Sequence, residues 1–316
     1  MQEEMVKKVG ILTFHAADNY GAVLQARALV EVLRSLGYDA HVIDYAPTYL
    51  TQPYRLWRND WWKHPVGTAK NLAASFAVAR RRRGFQAFRE GMFLTPFPPE
   101  GLDAVVFGSD PVWNPVINGG EPLWFAQDPA FAHTRNIAYA ASTGSVPLPD
   151  GVDFSRFHRL SVREPRLRDE LAALGFESTL ALDPVLLAGK EVLDALADPC
   201  PVKGRYVVAY EVIDNPQVGP IASRFGLPVV RIASNSRFSG RKQYVPGEFI
   251  SLIRGAEHVV TSSFHAFALA KVFGVDVVYP PSGTPKDDRI LHLLAPETDL
   301  DALRTQSLTF LQESLS

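Results

Sequence analysis

The sequence predicts an α/β protein made of two doubly wound, Rossmann-like domains. Short apolar runs of strand length alternate with helical patterns, and this alternation occurs twice, on either side of a looser stretch at 183–202. The chain has 316 residues, which is enough for two domains at roughly 150 residues each. We place the boundary after residue 195, so the domains are 1–195 and 196–316. The last helix could also pack back on the first domain.

The first domain opens with a strand, a helix and a second strand. Residues 8–14 form an apolar run, 21–36 carry apolar residues at helical spacing up to Gly37, and 41–45 alternate as the next strand. Further strands are expected at 103–107, 136–140 and 160–162, with a charged helix up to residue 174. Strands that alternate with helices in this way build parallel sheets.

The second domain repeats the pattern. Its strands are expected at 206–209, 229–232, 258–261 and 275–279, and its helices at 216–225, 247–254 and 264–273. Doubly wound sheets bind ligands outside the carboxyl ends of their strands. Polar side chains directly after predicted strands are therefore the candidate functional residues.

Charge and cysteine content exclude several classes of protein. Lysine plus arginine (32) nearly balances aspartate plus glutamate (34), so the net charge is -2 and no basic field exists to hold nucleic acid. The single cysteine, Cys200, cannot form an intrachain disulfide, and no Cys/His spacing resembles a zinc site. Neither a signal-peptide pattern nor an apolar run of about 18 residues is present. We therefore expect a soluble, cytoplasmic protein without a metal.

Residues 50–95 differ from the rest of the first domain because aromatic residues alternate with cations. The set comprises Tyr49, Tyr54, Trp57, Trp61 and Trp62 with Arg55, Arg58, Lys63 and Arg80–Arg83. Such a set is typical either of a peripheral membrane or lipid-headgroup contact or of an inserted helical pair whose aromatics pack on the domain. Both interpretations stay open.

The common catalytic motifs are missing. The sequence has no GxGxxG after the first strand, no P-loop, no GxSxG and no HExxH, which argues against a dehydrogenase, a P-loop enzyme or an α/β-hydrolase. The triplet Asp299-Leu300-Asp301 superficially resembles the acidic metal-binding pair of sugar-nucleotide transferases. Its position at a predicted helix start indicates instead an N-terminal helix charge.

Two strand ends in the predicted sheets carry groups suited to anions. The segment 261–267 (TSSFHAF) passes from a strand into a helix whose first turn carries His265, and the free N–H groups of such a turn favour phosphate. Ser262 or Ser263 would cap this helix, and a serine cap followed by a packed histidine explains the same residues. Arg163 follows another strand, where it can hold a carboxylate or phosphate, or pair with Glu164.

Two loops of the first domain offer further polar groups. The loop 107–115 (FGSDPVWNP) carries Ser109, Asp110 and Asn114, which turn chemistry explains equally well. The loop 13–25 (TFHAADNYGAVLQ) carries His15, Asn19, Tyr20 and Gln25, of which Asn19 is also a candidate helix cap.

Six blocks of the chain occur in the order and spacing of the polysaccharide pyruvyl transferase family, which the sequence resembles from about Gly10 to Leu294. The blocks are ILTFHAADNYGAVLQARAL, VVFGSDPVWNP, IAYAASTGS, SVRE, LDPVLL and VTSSFHAFALAKVFG. The resemblance implies a two-domain fold similar to the GT-B glycosyltransferases, with phosphoenolpyruvate as co-substrate and no cofactor. The acceptor would be a sugar with two suitably placed hydroxyls, and the product a pyruvate ketal in a surface polysaccharide or its lipid-linked precursor.

The resemblance also implies roles for single residues. The family's SFH histidine falls on His265 and its SVRE arginine on Arg163, and we predict that both are catalytic. His265 is expected to act as acid or base near the phosphate, while Arg163 holds the donor together with Ser262 and Ser263. The acceptor side, or the lining of the cleft, is expected to come from the first domain, through His15, Asn19, Tyr20, Ser109, Asp110 and Asn114.

The sequence departs from the family pattern at three positions. The family's GSDQVWN reads GSDPVWN, where Pro111 removes an amide side chain and a backbone N–H. The usual TDSFHG reads TSSFHA, with Ser262 in place of an acid that would orient or charge His265, and Ala266 in place of a glycine. Two alternatives therefore stay open: a transferase with a non-glycan acceptor, and a catalytically weakened binding or assembly protein of the same fold.

Overall fold

The computed structural model describes residues 6–51, 75–212, 215–234, 242–283 and 287–316. The strands in these residues form two parallel sheets, one of seven strands and one of four. The first sheet contains β1 (Lys8–Leu12), β2 (Asp39–Asp44), β3 (Thr95–Pro96), β4 (Ala104–Phe107), β5 (Arg135–Ala141), β6 (Arg159–Val162) and β7 (Thr179–Leu180). The second contains β8 (Val207–Tyr210), β9 (Val229–Ile232), β10 (His258–Thr261) and β11 (Asp276–Val278).

Helices alternate with these strands along the chain. They are α1 (Tyr20–Ser35), α2 (Thr48–Thr51), α3 (Ser75–Glu90), α4 (Pro165–Ala173), α5 (Pro184–Ala195), α6 (Val218–Ser223), α7 (Pro246–Arg254), α8 (Phe264–Phe273), α9 (Asp288–Leu294) and α10 (Leu300–Leu315). Short 3-10 turns occur at Pro122–Phe125, Pro129–Phe131 and Phe154–Arg156. The two parallel sheets with alternating helices confirm the predicted α/β class.

Each sheet has a switch point, where the strand order reverses. The order is β3-β2-β1-β4-β5-β6-β7 in the first sheet and β11-β10-β8-β9 in the second, and all neighbours run parallel. The chain first moves to one side of β1 or β8, then crosses back to add β4 or β10 on the other side. Such a reversal opens a crevice at the carboxyl ends of the two central strands. The loops after β1, β4, β8 and β10 are therefore placed to bind ligands.

One hydrophobic core continues from the first sheet to the second. Helix α1 packs against α5, which in turn packs against α8. A single cluster of buried side chains contains Val9 and Leu24 from the first sheet and its helix, and Phe249 and Leu269 from the second. Apolar burial of this kind holds the two domains together.

The last helix lies against the first sheet. The ring of Phe310 in α10 contacts Tyr139 of β5, and the Ser307 hydroxyl accepts the backbone N–H of Leu182 at 2.9 Å. Asp299 caps this helix by accepting backbone N–H groups of its first turn, which confirms the helix-start interpretation of the acidic triplet. The domain boundary after residue 195 stays a prediction.

The aromatic and basic segment is only partly described. Tyr54, Trp57, Trp61 and Trp62, with Arg55, Arg58 and Lys63, lie outside the described residues. In α3, Arg81 is fully buried and Arg80 pairs with Glu248 of α7, so Arg81 is not available to a lipid surface. None of the described helices is long and apolar enough to cross a membrane. A peripheral membrane contact stays a prediction.

Two strands of the first sheet were missed by the sequence analysis. Strands β3 and β7 are two residues long each, too short for the alternation of apolar and polar residues to identify them. The second omission matters for function, because β7 leads directly to Asp183.

Candidate active site

Three side chains meet where strands of both sheets end. Arg163 follows β6, Asp183 comes shortly after β7, and His265 lies in the first turn of α8, after β10. Arg163 Nη1 donates to Asp183 Oδ2 at 2.7 Å, and His265 Nε2 lies 3.5 Å from the same oxygen. Asp183 thus joins the two residues that the sequence predicted as catalytic.

Asp183 is fully buried and keeps its negative charge. It caps α5, where its Oδ1 accepts the backbone N–H of Val185 at 3.0 Å, and Pro184 follows as the first helical residue. Burial raises the pKa of the Asp183 carboxyl, but His265 and Arg163, with the capping N–H, outweigh burial and lower it to about 2. The sequence analysis did not single out Asp183, although Asp-Pro before an apolar run is a helix-start signal that would have marked it.

The guanidinium of Arg163 is buried but only partly hydrogen-bonded. Its Nε lies 3.5 Å from Glu164 Oε1, so the expected alternative, a pair with Glu164, exists beside the contact with Asp183. Burial lowers the pKa of Arg163, yet Glu164, Asp183 and Asp110 outweigh it and raise the pKa. Among the described residues, neither Nε nor Nη2 of Arg163 has a hydrogen-bond partner. Buried donors are normally paired, so these two are candidates for a ligand.

His265 is held between the two domains. A Cβ atom on Gly21, in the first turn of α1, would lie 2.2 Å from His265 Nδ1, so the imidazole packs directly on the Gly21 backbone. Among the described residues, Nε2 of His265 has no hydrogen-bond partner. The switch points of the two sheets therefore touch through Gly21 and His265. Gly21 was not among the predicted site residues, because its role depends on the opposite domain.

The start of α8 is formed by the two predicted donor-side serines. Ser263 is the N-cap residue by backbone geometry, but its hydroxyl makes no capping hydrogen bond. Its own N–H donates to Thr261 Oγ1 at 3.0 Å. Ser262 is half-buried next to it. The first turn of α8 is therefore not capped by the Ser263 side chain, contrary to the expectation that a serine would cap it.

A second arginine lies beside this group. Arg163, Arg289 and His292 line one cavity together with Phe264, Asp183 and several leucines. The two guanidinium carbons lie 4.8 Å (Arg163) and 5.4 Å (Arg289) from the centre of the Phe264 ring. Burial and the charge of Arg163 lower the pKa of Arg289, the expected effect of two cations sharing a cavity. An anionic ligand would relieve this repulsion.

Arg289 was missed because nothing in its surroundings marks a strand end. It lies in the run DRILHLL of α9, near the end of the family-like region. The structure brings it to Arg163 because α9 packs against α8. Within the described residues no group of three or more His, Cys, Asp or Glu side chains is arranged to hold a metal ion.

Asp110 extends the same group from the first domain. It follows β4, is 9% exposed, and is within electrostatic range of Arg163, Asp183, His265 and Arg289. We call these five residues (Asp110, Arg163, Asp183, His265 and Arg289) the ionic cluster. The side chains of its neighbours are engaged in hydrogen bonds: the Ser109 hydroxyl donates to Gln25, and the Asn114 amide donates to the Thr143 carbonyl.

The structure corrects the prediction for Tyr20 and Ser109. Both side chains are completely buried, so neither lines an open cleft. Tyr20 stacks on Phe249 of the second domain with ring centres 4.3 Å apart, and its hydroxyl bonds to the Tyr244 carbonyl. An aromatic residue at a helix start that faces another domain gains more from burial than from solvent.

His15 and Asn19 have local roles in the structure. His15 is buried, with Nε2 3.0 Å from Asp44 Oδ1 at the end of β2. Asn19 caps α1 by accepting the Ala22 N–H at 3.3 Å, which confirms the cap interpretation. Contact of either residue with an acceptor stays a prediction.

The departures at positions 262 and 266 are accommodated by neighbours. Ser262 offers no carboxylate, but Asp183 brings one to within 3.5 Å of His265 Nε2. The methyl group of Ala266 is fully buried in the shared core. A carboxylate partner for His265 is thus present despite the sequence change.

The fold and the ionic cluster define a two-domain parallel α/β protein with a charged site at the junction of its sheets. The family model described as polysaccharide pyruvyl transferase matches residues 19–279. The chain belongs to this family, and its role is pyruvyl transfer in polysaccharide biosynthesis. The resemblance found in the sequence is thereby confirmed.

Several solved structures are similar to this chain. A UDP-GlcNAc 2-epimerase from Methanocaldococcus jannaschii, in complex with UDP-GlcNAc and UDP, has 11% sequence identity and a TM-score of 0.45, covering 91% of this chain and 87% of that chain. The UDP-N-acetylglucosamine 2-epimerase from Rickettsia bellii has 9% identity and a TM-score of 0.47, covering 99% and 96%. The E. coli heptosyltransferase WaaC with ADP-2-deoxy-2-fluoro heptose has 11% identity and a TM-score of 0.41, covering 97% and 99%. No curated protein matched the chain in sequence.

Proposed function

We propose that this protein transfers the pyruvyl group of phosphoenolpyruvate to two hydroxyls of one sugar, forming a pyruvate ketal in a surface polysaccharide or its lipid-linked precursor. The observation that carries the proposal is the pair of arginines beside His265. Among the described residues, two buried nitrogens of Arg163 and one of Arg289 have no hydrogen-bond partner. Phosphoenolpyruvate offers a carboxylate and a phosphate, the two anions that guanidinium groups bind best.

The reaction needs proton transfers at defined atoms. Protonation of the methylene carbon of phosphoenolpyruvate makes a methyl group and leaves positive charge on the neighbouring carbon. One sugar hydroxyl adds to that carbon, the bond to phosphate oxygen breaks, and the second hydroxyl closes the ketal. The two hydroxyl protons end on the new methyl group and on the released hydrogen phosphate, so the atoms balance.

His265 is the acid for the first step in this proposal. Its Nε2 has no hydrogen-bond partner among the described residues and lies 3.5 Å from Asp183 Oδ2, so it is placed to hold a proton toward the donor. Arg163 holds the donor, with Ser262, Ser263 and the α8 N-terminus sharing the phosphate charge. Arg289 is a second cation for the same donor. A positioned acid contributes roughly 10²–10⁴ in rate.

The acceptor approaches from the first domain in this proposal. Asp110, Asn114, His15 and Asn19 lie in the loops at the switch point of the first sheet, where doubly wound folds bind ligands. The protein acts in the cytoplasm, without a cofactor, on a free or lipid-linked sugar. Sedimentation with anionic vesicles tests the lipid-linked variant, which is wrong if the protein stays in solution and uses a lipid-free acceptor equally well.

The decisive experiment measures phosphate release from phosphoenolpyruvate with a panel of pyranoside acceptors. We expect acceptor-dependent release by the wild type and a loss of at least about 100-fold in His265→Ala. His258→Ala is the matched control, because His258 lies at the opposite end of β10 and pairs with Asp276. No release with any sugar would contradict the proposal and favour a non-glycan acceptor, another donor or a non-catalytic protein.

A second measurement isolates the donor site. Arg163→Lys keeps the buried positive charge beside Asp183 but loses the planar fork, so we expect phosphoenolpyruvate affinity to fall about tenfold or more. Isothermal titration calorimetry reads this directly. The control is Arg159→Lys, since Arg159 is a surface residue paired with Glu313. An unchanged affinity in Arg163→Lys would remove Arg163 from the donor site.

A further inference from the structure

The carboxyl group of Asp110 is unusual within the ionic cluster. It is 9% exposed, and its side chain makes no hydrogen bond to any described residue. Carboxylates buried to this degree are normally paired. The charged groups that face it are His265, Arg163, Asp183 and Arg289, so it lies at the edge of the donor site but belongs to the first domain.

Helix α1 places Asp110 relative to His265. Gly21 contacts the His265 ring, and Gln25, one turn further along α1, accepts from both the backbone N–H and the hydroxyl of Ser109 at 3.3 and 3.1 Å. Residues four apart on a helix are neighbours on the same face, about 5–6 Å apart. One face of α1 therefore contacts His265 through Gly21 and Ser109, the residue before Asp110, through Gln25.

The backbone on the other side of Asp110 is also constrained. Pro111 follows it and has no backbone N–H that could donate a hydrogen bond to the carboxylate. The turn continues with Asn114, whose side chain donates to the Thr143 carbonyl. Within the described residues, the Asp110 carboxylate thus has no neighbouring hydrogen-bond donor, although its backbone is fixed on both sides.

We propose that Asp110 is the base that takes the proton from the attacking sugar hydroxyl. This inference rests on the proposed function, since it assigns the proton acceptor for that same reaction. The observations that carry it are the carboxylate without a hydrogen-bond donor in the described part of the chain, its place at the switch point of the acceptor-side domain, and its fixed position beside the donor cations.

The opposite environments of the two aspartates support separate roles. Burial raises the pKa of Asp110, and the cations His265 and Arg163 offset this only in part. Asp183 has its pKa lowered to about 2 by His265 and Arg163, despite burial. A carboxylate with a raised pKa is the stronger base, while one with a lowered pKa is a permanent counter-charge. Asp110 is suited to accept a proton, and Asp183 to stabilise the charges of His265 and Arg163.

The proton balance closes with two residues. Protonated His265 gives its proton to the methylene carbon of phosphoenolpyruvate, and Asp110 takes the proton of the first hydroxyl as its oxygen bonds to the central carbon. Asp110 then returns that proton to the departing phosphate oxygen. The second hydroxyl gives its proton to the now neutral His265 as the ketal closes, so both residues end in their starting states.

The test compares Asp110→Asn with the wild type in two assays. Asparagine has the same shape but cannot take the proton, so acceptor-dependent phosphate release should fall at least about 100-fold. Binding of phosphoenolpyruvate, measured by calorimetry, should be unchanged or tighter, because a negative charge near the donor has been removed. Asp153→Asn is the matched control, since Asp153 is an exposed helix cap in the same domain, and asparagine also caps.

The pH profile gives a readout that a structural role would not change. In the wild type, kcat/KM for the acceptor should decline at low pH as Asp110 becomes protonated, and this acidic limb should vanish from the residual activity of Asp110→Asn. Asp110→Glu should restore part of the lost rate, because it supplies a carboxylate again.

Three results would overturn the inference. They are full turnover in Asp110→Asn, an unchanged acidic limb, and a parallel loss of turnover and phosphoenolpyruvate affinity, which would mark a structural role. The wild-type arm reads the proposed function separately. If wild type and Asp110→Asn are both active, only the role of Asp110 as base is wrong. If the wild type releases no phosphate, the proposed function and the role of Asp110 are both wrong.

Discussion

The two domains meet in two regions of opposite character. The first, which we call the closed contact, consists of Tyr20, Arg81, Tyr244 and Phe249. There, Arg81 donates from its two terminal nitrogens to the Tyr20 hydroxyl and to the carbonyls of Asp18, Ala233 and Ser234, at 2.6–3.2 Å. The second is the ionic cluster, in which Arg163 makes one hydrogen bond, to Asp183, and two of its nitrogens have no partner in the described residues.

The difference between the two arginines distinguishes structure from function. Both are buried and both lie where the domains meet. Arg81 bridges carbonyls of both domains with its two terminal nitrogens, and only its Nε has no hydrogen-bond partner among the described residues, so its hydrogen bonds compensate for most of its lost hydration. Arg163 is held by its charged neighbours and by one side-chain hydrogen bond, to Asp183, while its Nε and Nη2 have no hydrogen-bond partner in the described part of the chain; buried donors are normally paired, so these two mark a place for a ligand. We therefore assign the closed contact to holding the domains together and the ionic cluster to binding a ligand.

The largest expected effect comes from breaking the ionic cluster at its centre. Asp183→Asn keeps the helix cap but removes the charge that joins Arg163 and His265. Removing one partner of a buried ion pair typically costs about 3–5 kcal/mol, so we expect a loss of that order in the free energy of unfolding at pH 7. Urea unfolding measures it. A stability within 1 kcal/mol of wild type, as a rough threshold, would mean that Glu164 alone compensates Arg163.

The pH dependence of the stability difference between wild type and Asp183→Asn tests whether the charge of Asp183 causes it. Because the pKa of Asp183 is lowered in the folded state to about 2, its stabilising contribution is complete above the ordinary pKa of the carboxyl, near 4. It is lost as pH falls through 2, when the wild-type carboxylate becomes protonated. The stability gap between wild type and Asp183→Asn should therefore narrow as pH falls from about 5 to about 2, and a gap that widens would contradict the assignment.

Breaking the closed contact should affect stability next. Arg81→Ala leaves the buried Ala233 carbonyl, the part-buried carbonyls of Asp18 and Ser234, and the Tyr20 hydroxyl without their donor, which we expect to lower the free energy of unfolding by about 2–4 kcal/mol. Arg82→Ala is the matched control, because Arg82 is the exposed neighbour on the same helix. It should change stability by less than about 0.5 kcal/mol. Equal effects of the two substitutions would show that Arg81 does not join the domains.

Gly21→Ala separates activity from stability. The added methyl would lie 2.2 Å from His265 Nδ1, so the ring must shift, while the helix itself tolerates alanine well. We expect turnover to fall about 100-fold, the typical effect of a displacement near 1 Å at a reacting group. The free energy of unfolding should change by less than about 1 kcal/mol. Wild-type turnover in this variant would show that the His265 position is not critical.

The smallest effect should come from the exposed rim of the closed contact. Arg80 pairs with Glu248 across the domains, but its side chain is 56% exposed. Exposed ion pairs contribute about 0–1 kcal/mol and weaken with salt. Arg80→Ala should therefore lower the free energy of unfolding by less than about 1 kcal/mol, with the difference reduced in high salt. A loss of stability as large as that of Arg81→Ala would mean that burial does not explain the difference between Arg80 and Arg81.

Much of the fold was predictable from local sequence. The apolar runs of β1, β4, β8 and β10 and the helical spacing of α1 and α8 are strong signals, and the structure has those elements within a few residues of their expected ends. The two-residue strands β3 and β7 were missed because a strand of that length carries no periodicity. Pairing with a neighbouring strand, not the local sequence, defines them.

The candidate site was predictable only in part. His265 and Arg163 follow strands, and that position alone marks them as candidates. Tyr20 and Ser109 also lie at strand ends, but the structure buries them. Position along a loop gives the end of the sheet at which a side chain lies, but not whether a second domain covers it.

The sequence by itself determined the class of fold, the family, and the strand ends from which His265, Arg163 and Asp110 project. Hydrophobic periodicity and helix signals act over a few residues, so these properties are local. Only the tertiary structure decided that Asp183 joins Arg163 to His265, that Gly21 seats the imidazole and that Arg289 shares its cavity. The physical reason is that these contacts depend on the order of strands within each sheet and on the packing of one domain on the other, which bring together residues far apart in the chain.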